Sequence, residues 1–271
     1  MSYENSYLDI GRVSSVLERL RSATGVVIQV LSLLAGLIAW ELYASTRPGY
    51  LFPNLGSIYA AFLEQMREYA LLSALGHSLI TLAVGFLLAA IVGVSVGIAM
   101  GLNEYLEALL NPYINALYVA PIAALIPVLI LVGGPSFETR VFIVFLFAVF
   151  EIAIDAYEGV KTTPDDVLEV ARSFGADRWF IVRNVIIPHD LPYIVAGLRL
   201  GIGRALKGMI IGELLIEFSN LGAIIRLWEN DFRIAGVLSV VVLVMIVGAV
   251  LINGVKLLGA RLIPWRTEVD A

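Results

Sequence analysis

Cysteine is missing from all 271 residues, and Asp, Glu, Lys and Arg together make up only 15% of the chain. Disulfides, thiolate metal sites and cysteine nucleophiles are therefore excluded. The formal net charge of -5 leaves no basic stripe for phosphate groups, which argues against nucleic acid as a partner. The only two histidines, His77 and His189, are isolated in the sequence and form no metal-binding motif.

Two catalytic signatures are absent as well. No Gly-x-x-x-x-Gly-Lys followed by Ser or Thr occurs, so the chain has no phosphate-binding loop for ATP. No His-Glu-x-x-His occurs either, and no Ser and His stand on facing apolar segments, so an intramembrane enzyme has no support. Any energy from ATP must come from another subunit.

Apolar side chains, in contrast, make up 59% of the residues. This fraction is too high for a soluble domain of this length and indicates a protein of the lipid bilayer. A transmembrane helix needs roughly 20 apolar residues, and six stretches come close to that length. We therefore predict an all-α membrane protein with about six transmembrane helices, at about 25–43, 77–101, 113–132, 140–158, 192–216 and 235–255.

Six spans place both termini on one side of the membrane, and the basic residues indicate which side. With the termini inside, ten Lys and Arg residues fall on cytoplasmic segments and five on outer segments. The inner ones are Arg12, Arg19, Arg21, Lys161, Arg172, Arg178, Arg183, Lys256, Arg261 and Arg266, and the outer ones are Arg47, Arg67, Arg140, Arg226 and Arg233. We therefore expect cytoplasmic N- and C-termini.

The chain divides into three parts on this basis. Residues 1–24 are predicted to form a cytoplasmic or interfacial segment, 25–260 a transmembrane domain, and 261–271 a cytoplasmic tail. The first segment lacks a basic start and a small-residue cleavage site, so it does not resemble a signal peptide. Two amphipathic helices are also predicted, over 13–20 inside and over 58–69 on the outer surface, the latter with Gln65 on its polar side.

Small residues recur every fourth position in two of the predicted spans. Ridges of this kind let neighbouring helices approach closely, although they would also suit surfaces that slide when a pathway opens. The ridge residues are Gly85, Ala89, Gly93, Gly97 and Gly101 in the second span, and Gly197, Gly201, Ala205, Gly208 and Gly212 in the fifth. In the third span, Pro121 and Pro127 each remove a backbone donor and are expected to kink or interrupt the helix.

The longest predicted cytoplasmic loop, 161–191, has its own helical signals. Thr163 can cap a helix that begins at Pro164 and continues to about Phe174, and Gly175 suits a left-handed corner. Asp177 can cap a second short helix that runs to Pro188. The second helix would expose Trp179 and Phe180 beside several arginines, which is typical of a contact surface for another protein.

This loop resembles the coupling motif of permeases of bacterial ATP-binding-cassette (ABC) importers. That motif is Glu-Ala-Ala, three residues, Gly, nine residues, and Ile-x-Leu-Pro. The positions that match at the same spacing are Glu169, Ala171, Gly175 and Pro188, while Val170, Val185 and Ile187 replace other members with similar apolar side chains. The flanking sequence over about 75–260 resembles in particular the nitrate, sulfonate and taurine branch of the family.

The resemblance implies the type I ABC-importer permease fold, with a pair of short coupling helices in the cytoplasm. It also implies partners: two ATPase subunits that bind ATP and Mg²⁺, a second permease copy, and an external solute-binding protein, all at a bacterial plasma membrane. The chain itself would be no enzyme. The residues that would dock or shape the ATPase contact are Glu169, Ala171, Arg172, Gly175, Trp179 and Pro188.

Ionisable and polar residues inside predicted spans are costly, so they are candidates for a pathway or for ion pairs. The candidates are Tyr113, Asn115, Tyr118, Glu151, Asp155, Arg204, Lys207 and Glu213. One reading pairs Glu151 or Asp155 with Arg204 or Lys207 to hold the bundle together. The other places Lys207, Arg204 or both on the path of an anion, although a cation near a helix end can also extend to the membrane surface.

Two functions compete on these grounds. The first is the permease of an ABC importer for a small, anionic solute such as a sulfonate, taurine or nitrate, with aromatic carboxylates and pyrimidine precursors of vitamins as further candidates. The second is a stand-alone secondary transporter or channel. The second would favour an inverted internal repeat, and the two halves of this sequence show no self-similarity.

Overall fold

A computed structural model describes residues 25, 27–216 and 220–263. The predicted segment 1–24, the amphipathic stretch 13–20 and most of the predicted tail lie outside these residues. Every regular element in the described part is a helix. The α-helices are α1 (Val27–Ser45), α2 (Leu55–Glu68), α3 (Leu71–Leu102), α4 (Glu104–Val119), α5 (Ile122–Gly133), α6 (Phe137–Lys161), α7 (Asp165–Ser173), α8 (Arg178–Ile181), α9 (Ile187–Ile216), α10 (Asn220–Asn230) and α11 (Ile234–Leu262).

Three helices of the described part are long and apolar enough to cross a membrane, namely α1, α3 and α11. Two bent pairs, α4 with α5 and α8–α9 with α10, would raise the number to five if each pair is one span. Helix α6 has 25 residues, which is sufficient length, but Glu151, Asp155 and Glu158 interrupt its apolar stretch. The all-α fold is thus confirmed, while the number of six spans stays a prediction.

The predicted third span, 113–132, is not one helix. Helix α4 ends at Val119, α5 begins at Ile122, and the two helix axes differ in direction by 99°. The break occurs at Ala120, whose backbone is extended, and at Pro121, which has no N–H to continue the helical hydrogen bonds. The expected interruption at Pro121 is therefore confirmed, whereas Pro127 lies inside α5.

The described residues form two compact units, the first ending at residue 60 and the second beginning at residue 61. In the first unit, the indole N–H of Trp40 donates to the Pro53 carbonyl oxygen at 3.1 Å, and the Trp40 ring lies against Phe52. The carboxylate of Glu41 accepts the N–H of Leu55 at 2.9 Å, where α2 begins. Side chains at the end of α1 therefore satisfy a backbone donor of the first turn of α2.

Helix α6 is the centre of the second unit, because α3 and α9 pack along it through their small residues. A Cβ at Gly93 of α3 would lie 2.9 Å from the Val149 carbonyl oxygen, and one at Gly201 of α9 would lie 2.7 Å from Ile152. These distances leave no room for a side chain. Both ridges thus make the close helix contacts that the spacing of small residues predicts.

Gln65 corrects the amphipathic assignment of α2. It lies fully buried rather than on a polar surface. Its side-chain amide donates to the Gly236 carbonyl oxygen at 2.9 Å and accepts from the Ser239 hydroxyl, also at 2.9 Å. Sequence periodicity placed Gln65 on the polar side because it takes no account of α11, whose first turns cover this residue.

We expect that Gly97→Ala destabilises the protein by about 1–3 kcal/mol, the usual cost of an overpacked contact. A methyl group there would collide with the Ala153 carbonyl and with the Ala156 side chain of α6. Gly76→Ala is the matched control, because it lies in the same helix and a Cβ there meets nothing within 4 Å. Thermal unfolding of the detergent-purified variants measures the difference, and equal stability of the two would contradict this account of the ridge.

Candidate functional site

The loop after α6 forms a sharp corner between two short helices. At the end of α7, the N–H of Gly175 donates to the Arg172 carbonyl at 2.9 Å and the N–H of Ala176 donates to the Ala171 carbonyl at 3.1 Å. Gly175 has a φ of +79°, a conformation that costs glycine little. This pair of bonds is a Schellman motif, and it confirms Gly175 as the predicted corner.

Asp177 begins the second helix as predicted. Its carboxylate accepts the N–H of Phe180 at 2.7 Å, which satisfies one free donor of α8. The prediction that this helix ends at Pro188 is wrong. Helix α8 continues through a π-helical turn, Val182–Ile186, directly into α9, so Pro188 lies inside a continuous helix, just after that turn.

The predicted cap at Thr163 is also wrong. Helix α7 begins at Asp165 with Pro164 as its capping residue, and Thr163 stands one residue too early for its hydroxyl to reach the first turn. The Thr163 side chain is buried instead, and its hydroxyl oxygen has no hydrogen-bond partner among the described residues.

The corner presents large aromatic side chains to its surroundings. Phe174, Trp179 and Phe180 are exposed by 89%, 69% and 52%, respectively. The exposure of Trp179 and Phe180 was expected from the sequence, whereas Phe174 was not singled out. Exposed aromatic groups of this density are typical of a surface that another protein covers. Glu169 and Arg172 of α7 are exposed beside them.

Arg204 of α9, which is partly exposed, joins three helices of the second unit. Its guanidinium forms an ion pair with Glu151 of α6 at 2.6 Å. It also donates to the Tyr118 hydroxyl at 2.8 Å and lies 4.5 Å from the centre of that ring. Of the four pairings that the sequence left open, the structure therefore forms Glu151 with Arg204. Tyr118 is the last residue but one of α4, close to the break at Pro121.

Lys207 stands apart from this cluster. It is exposed on α9, and no ion-pair partner is recorded for it within the described part of the chain. Its neighbours in an adjacent groove are apolar, including Ile210 and Met245. Lys207 lies nine residues before Ile216, about 14 Å from that end of the helix, so it is not a residue of the helix terminus.

Glu213 occupies a different environment, fully buried between α3, α9 and α10. Its carboxylate accepts from the Ser78 hydroxyl at 2.9 Å, from the Asn220 side-chain amide at 3.1 Å and from the Gly222 N–H at 3.2 Å. The last bond satisfies a free donor in the first turn of α10. Glu213 thus fixes α10 against its neighbours and does not join the Arg204 cluster.

Two further carboxylates lie at the contact between α6 and α9. The Asp155 side chain fits over Gly197, and Asp190 fits over Gly159. Asp190 is fully buried, and neither of its oxygens has a hydrogen-bond partner among the described residues. Asp190 was not predicted from the sequence, because acidic residues are common near the starts of exposed helices and give no sign that they are buried. The remaining candidates, Tyr113 and Asn115 of α4, are exposed and are not brought to these clusters.

Residues 89–264 match the family model described as "binding-protein-dependent transport system inner membrane component". The formylaminopyrimidine transport permease protein ThiX of Halalkalibacterium halodurans is 27% identical over 86% of this chain and 93% of its own length. The nitrate import permease protein NrtB of Synechocystis is 29% identical over 69% of this chain and 68% of its own. The taurine transport system permease protein TauC of Escherichia coli is 29% identical over 55% of this chain and 54% of its own.

A solved structure shares the fold. It is a chain of the MetNI methionine ABC transporter in an inward facing conformation, with a TM-score of 0.60 and 19% sequence identity. The match covers 73% of this chain and 96% of that one.

We expect that Glu151→Gln destabilises the protein by about 2 kcal/mol, because it leaves the Arg204 charge without its partner. Removing one member of a fully buried pair costs roughly 3–5 kcal/mol, and Arg204 is partly exposed. Glu229→Gln, in the surface pair with Arg226, is the control and should change stability little. Thermal unfolding of both variants is the measurement. A double variant, Glu151→Gln with Arg204→Gln, should recover part of the loss, and no recovery would show that the two residues act independently.

Proposed function

Because this chain belongs to the family of binding-protein-dependent transport system inner membrane components, it is a permease subunit of an ABC importer, and we propose how it assembles and what it carries. Two copies form the pathway, two ATPase subunits that hold ATP and Mg²⁺ dock on the coupling helices, and an external binding protein delivers a small anion. Neither ATP hydrolysis nor another catalytic step belongs to this chain.

The observation that carries this proposal is the corner formed by α7 and α8. Gly175 fixes the corner, and the aromatic side chains of Phe174, Trp179 and Phe180 extend from it. Because the π-helical turn joins α8 to α9 without an intervening loop, a displacement of the docked ATPase would move α9 directly. Glu169 and Arg172 supply polar contacts around the aromatic centre.

The excess of Lys and Arg on the side of the membrane that holds loop 161–191 supports a cytoplasmic position for this loop and for both termini. The membrane is then the bacterial plasma membrane, with the ATPases inside and the binding protein outside.

Lys207 supports both a second copy and an anionic cargo. A lysine within a long apolar helix cannot remain against lipid at low cost, so its side of α9 faces water or protein. Closed twofold symmetry is the common arrangement for such pairs, and it would place two Lys207 side chains on one pathway. Arg204 is neutralised by Glu151, which leaves Lys207 as the better contact for an anion.

The names of the relatives are consistent with this class of cargo. They include permeases for nitrate, aliphatic sulfonates, bicarbonate and taurine. The formylaminopyrimidine permease also stands among them, so the anion remains our inference from Lys207.

Purification of the tagged chain from its native membrane tests the assembly, and Gly175 variants test the coupling. We expect an ATPase subunit to co-purify, with two permease copies per complex. Gly175→Val should uncouple ATP hydrolysis from uptake in proteoliposomes, because a β-branched residue resists positive φ. Gly175→Asn is the control and should retain more coupling, since asparagine tolerates this conformation. Recovery of the chain alone, still moving solute without ATP, would instead indicate a secondary transporter.

Lys207→Met should lower anion uptake roughly tenfold or more at low substrate concentration, as expected for the loss of one charged contact. Lys256→Met, on α11, is the control for the removal of an exposed lysine. Uptake of labelled substrate and thermal unfolding are measured together on each variant. Unchanged uptake for Lys207→Met would contradict a role for this residue on the pathway.

A further inference from the structure

A cavity of about 500 Å³ lies between the coupling helices and the ends of α3 and α6. Its volume is within the range of roughly 300–1,000 Å³ that is usual for small-molecule sites. Phe174, Trp179 and Phe180 do not line the cavity, whereas Arg172, at the edge of the proposed ATPase contact, lines it as well. Its walls include Leu102, Val160, Thr163, Arg172, Arg178 and Ile181.

The charged residues that line the cavity in the described part of the chain are two exposed arginines. Arg172 and Arg178 both line it, and neither has an ion-pair partner recorded in the part of the chain that the structure describes. Arg178 makes one long hydrogen bond, to the Leu102 carbonyl oxygen at 3.4 Å. None of the described lining residues is acidic; the Asp177 carboxylate, next to Arg178 in the sequence, caps α8 and does not line the cavity.

Thr163 supplies a second, independent observation. This lining residue is only 8% exposed, and its hydroxyl oxygen has no hydrogen-bond partner among the described residues. Burying a hydroxyl without a partner costs about 1–3 kcal/mol. A ligand oxygen that reached this hydroxyl would remove this cost.

The remaining wall is apolar and lies where membrane helices end. Val160, Ile181 and Ile186 form a small buried cluster behind the charged side. Leu102 is the last residue of α3, so the cavity stands at the end of a candidate span. A ligand with an anionic group and an apolar part would match both sides of the cavity.

We propose that this cavity binds the phosphate group of an anionic phospholipid, with Arg172, Arg178 and Thr163 as its ligands. Arginine is well suited to phosphate because its planar donors can bind two oxygens at once. The apolar wall receives the upper part of the acyl chains. Only the assignment to the cytoplasmic leaflet rests on the proposed function. A bound lipid would join the coupling helices to the ends of α3 and α6.

The test uses the purified full chain, alone and with its ATPase subunits, in nanodiscs of phosphatidylcholine with or without phosphatidylglycerol. Native mass spectrometry counts the retained phosphatidylglycerol, and a titration gives its affinity. We expect Arg178→Ala to weaken phosphatidylglycerol binding about tenfold, in line with the loss of a charge-assisted hydrogen bond. Thr163→Val, which keeps the shape of the side chain, should weaken it by a smaller factor.

Arg183→Ala is the matched control, because Arg183 is exposed in the adjacent π-helical turn but does not line the cavity. It should retain wild-type binding. If Arg178→Ala does not reconstitute, Arg178→Gln removes the charge with less loss of side-chain volume. Thermal unfolding in phosphatidylcholine alone confirms that each variant is folded.

Three outcomes would overturn the proposal. The first is equal affinity for phosphatidylglycerol and phosphatidylcholine, and the second is an equal loss in Arg183→Ala. The third is displacement of phosphatidylglycerol from the site by millimolar inorganic phosphate, which would make free phosphate the ligand. Each is measured on this chain without transport, so a failure here leaves the assignment as an importer permease unaffected.

Discussion

The close approach of α3 and α9 to α6 is the constraint on which the rest of the second unit depends. Glycines on both outer helices remove the side chains that would hold them apart, and backbone atoms of α6 lie within van der Waals distance of those positions. In a bilayer, contacts of this kind drive helix association, because lipid gives apolar side chains no reason to leave it. Short distances also determine which polar groups meet.

The charges inside the unit follow from that packing. Helix α6 holds Glu151 against Arg204 of α9, and Arg204 extends to Tyr118 beside the break between α4 and α5. This arrangement compensates one cation and leaves Lys207, three residues further along α9, without an ion-pair partner in the described part of the chain. Helix α9 therefore carries one cation that is held in an ion pair, and a second cation that we propose contacts the solute.

The loop that contains α7 and α8 is attached to α9 as well. Gly175 sets the angle between α7 and α8, the π-helical turn passes the chain into α9, and a buried apolar cluster supports the corner from behind. A corner held by backbone hydrogen bonds and apolar packing is consistent with the ATPase contact that we propose. The cationic cavity lies behind the corner, where a bound lipid would add to this support.

The sequence by itself determined what depends on neighbours along the chain: the apolar helices, the corner at Gly175, the cap at Asp177, the interruption at Pro121 and the family motif from Glu169 to Pro188. Only the tertiary structure decided which groups meet across helices. It selected Glu151 with Arg204, buried Gln65 under α11, surrounded Glu213 with donors and left the Thr163 hydroxyl with no partner among the residues that the structure describes. Hydrophobic periodicity gives the buried side of a helix, but not its height or rotation against a neighbour, and those two quantities choose the partner of each polar side chain.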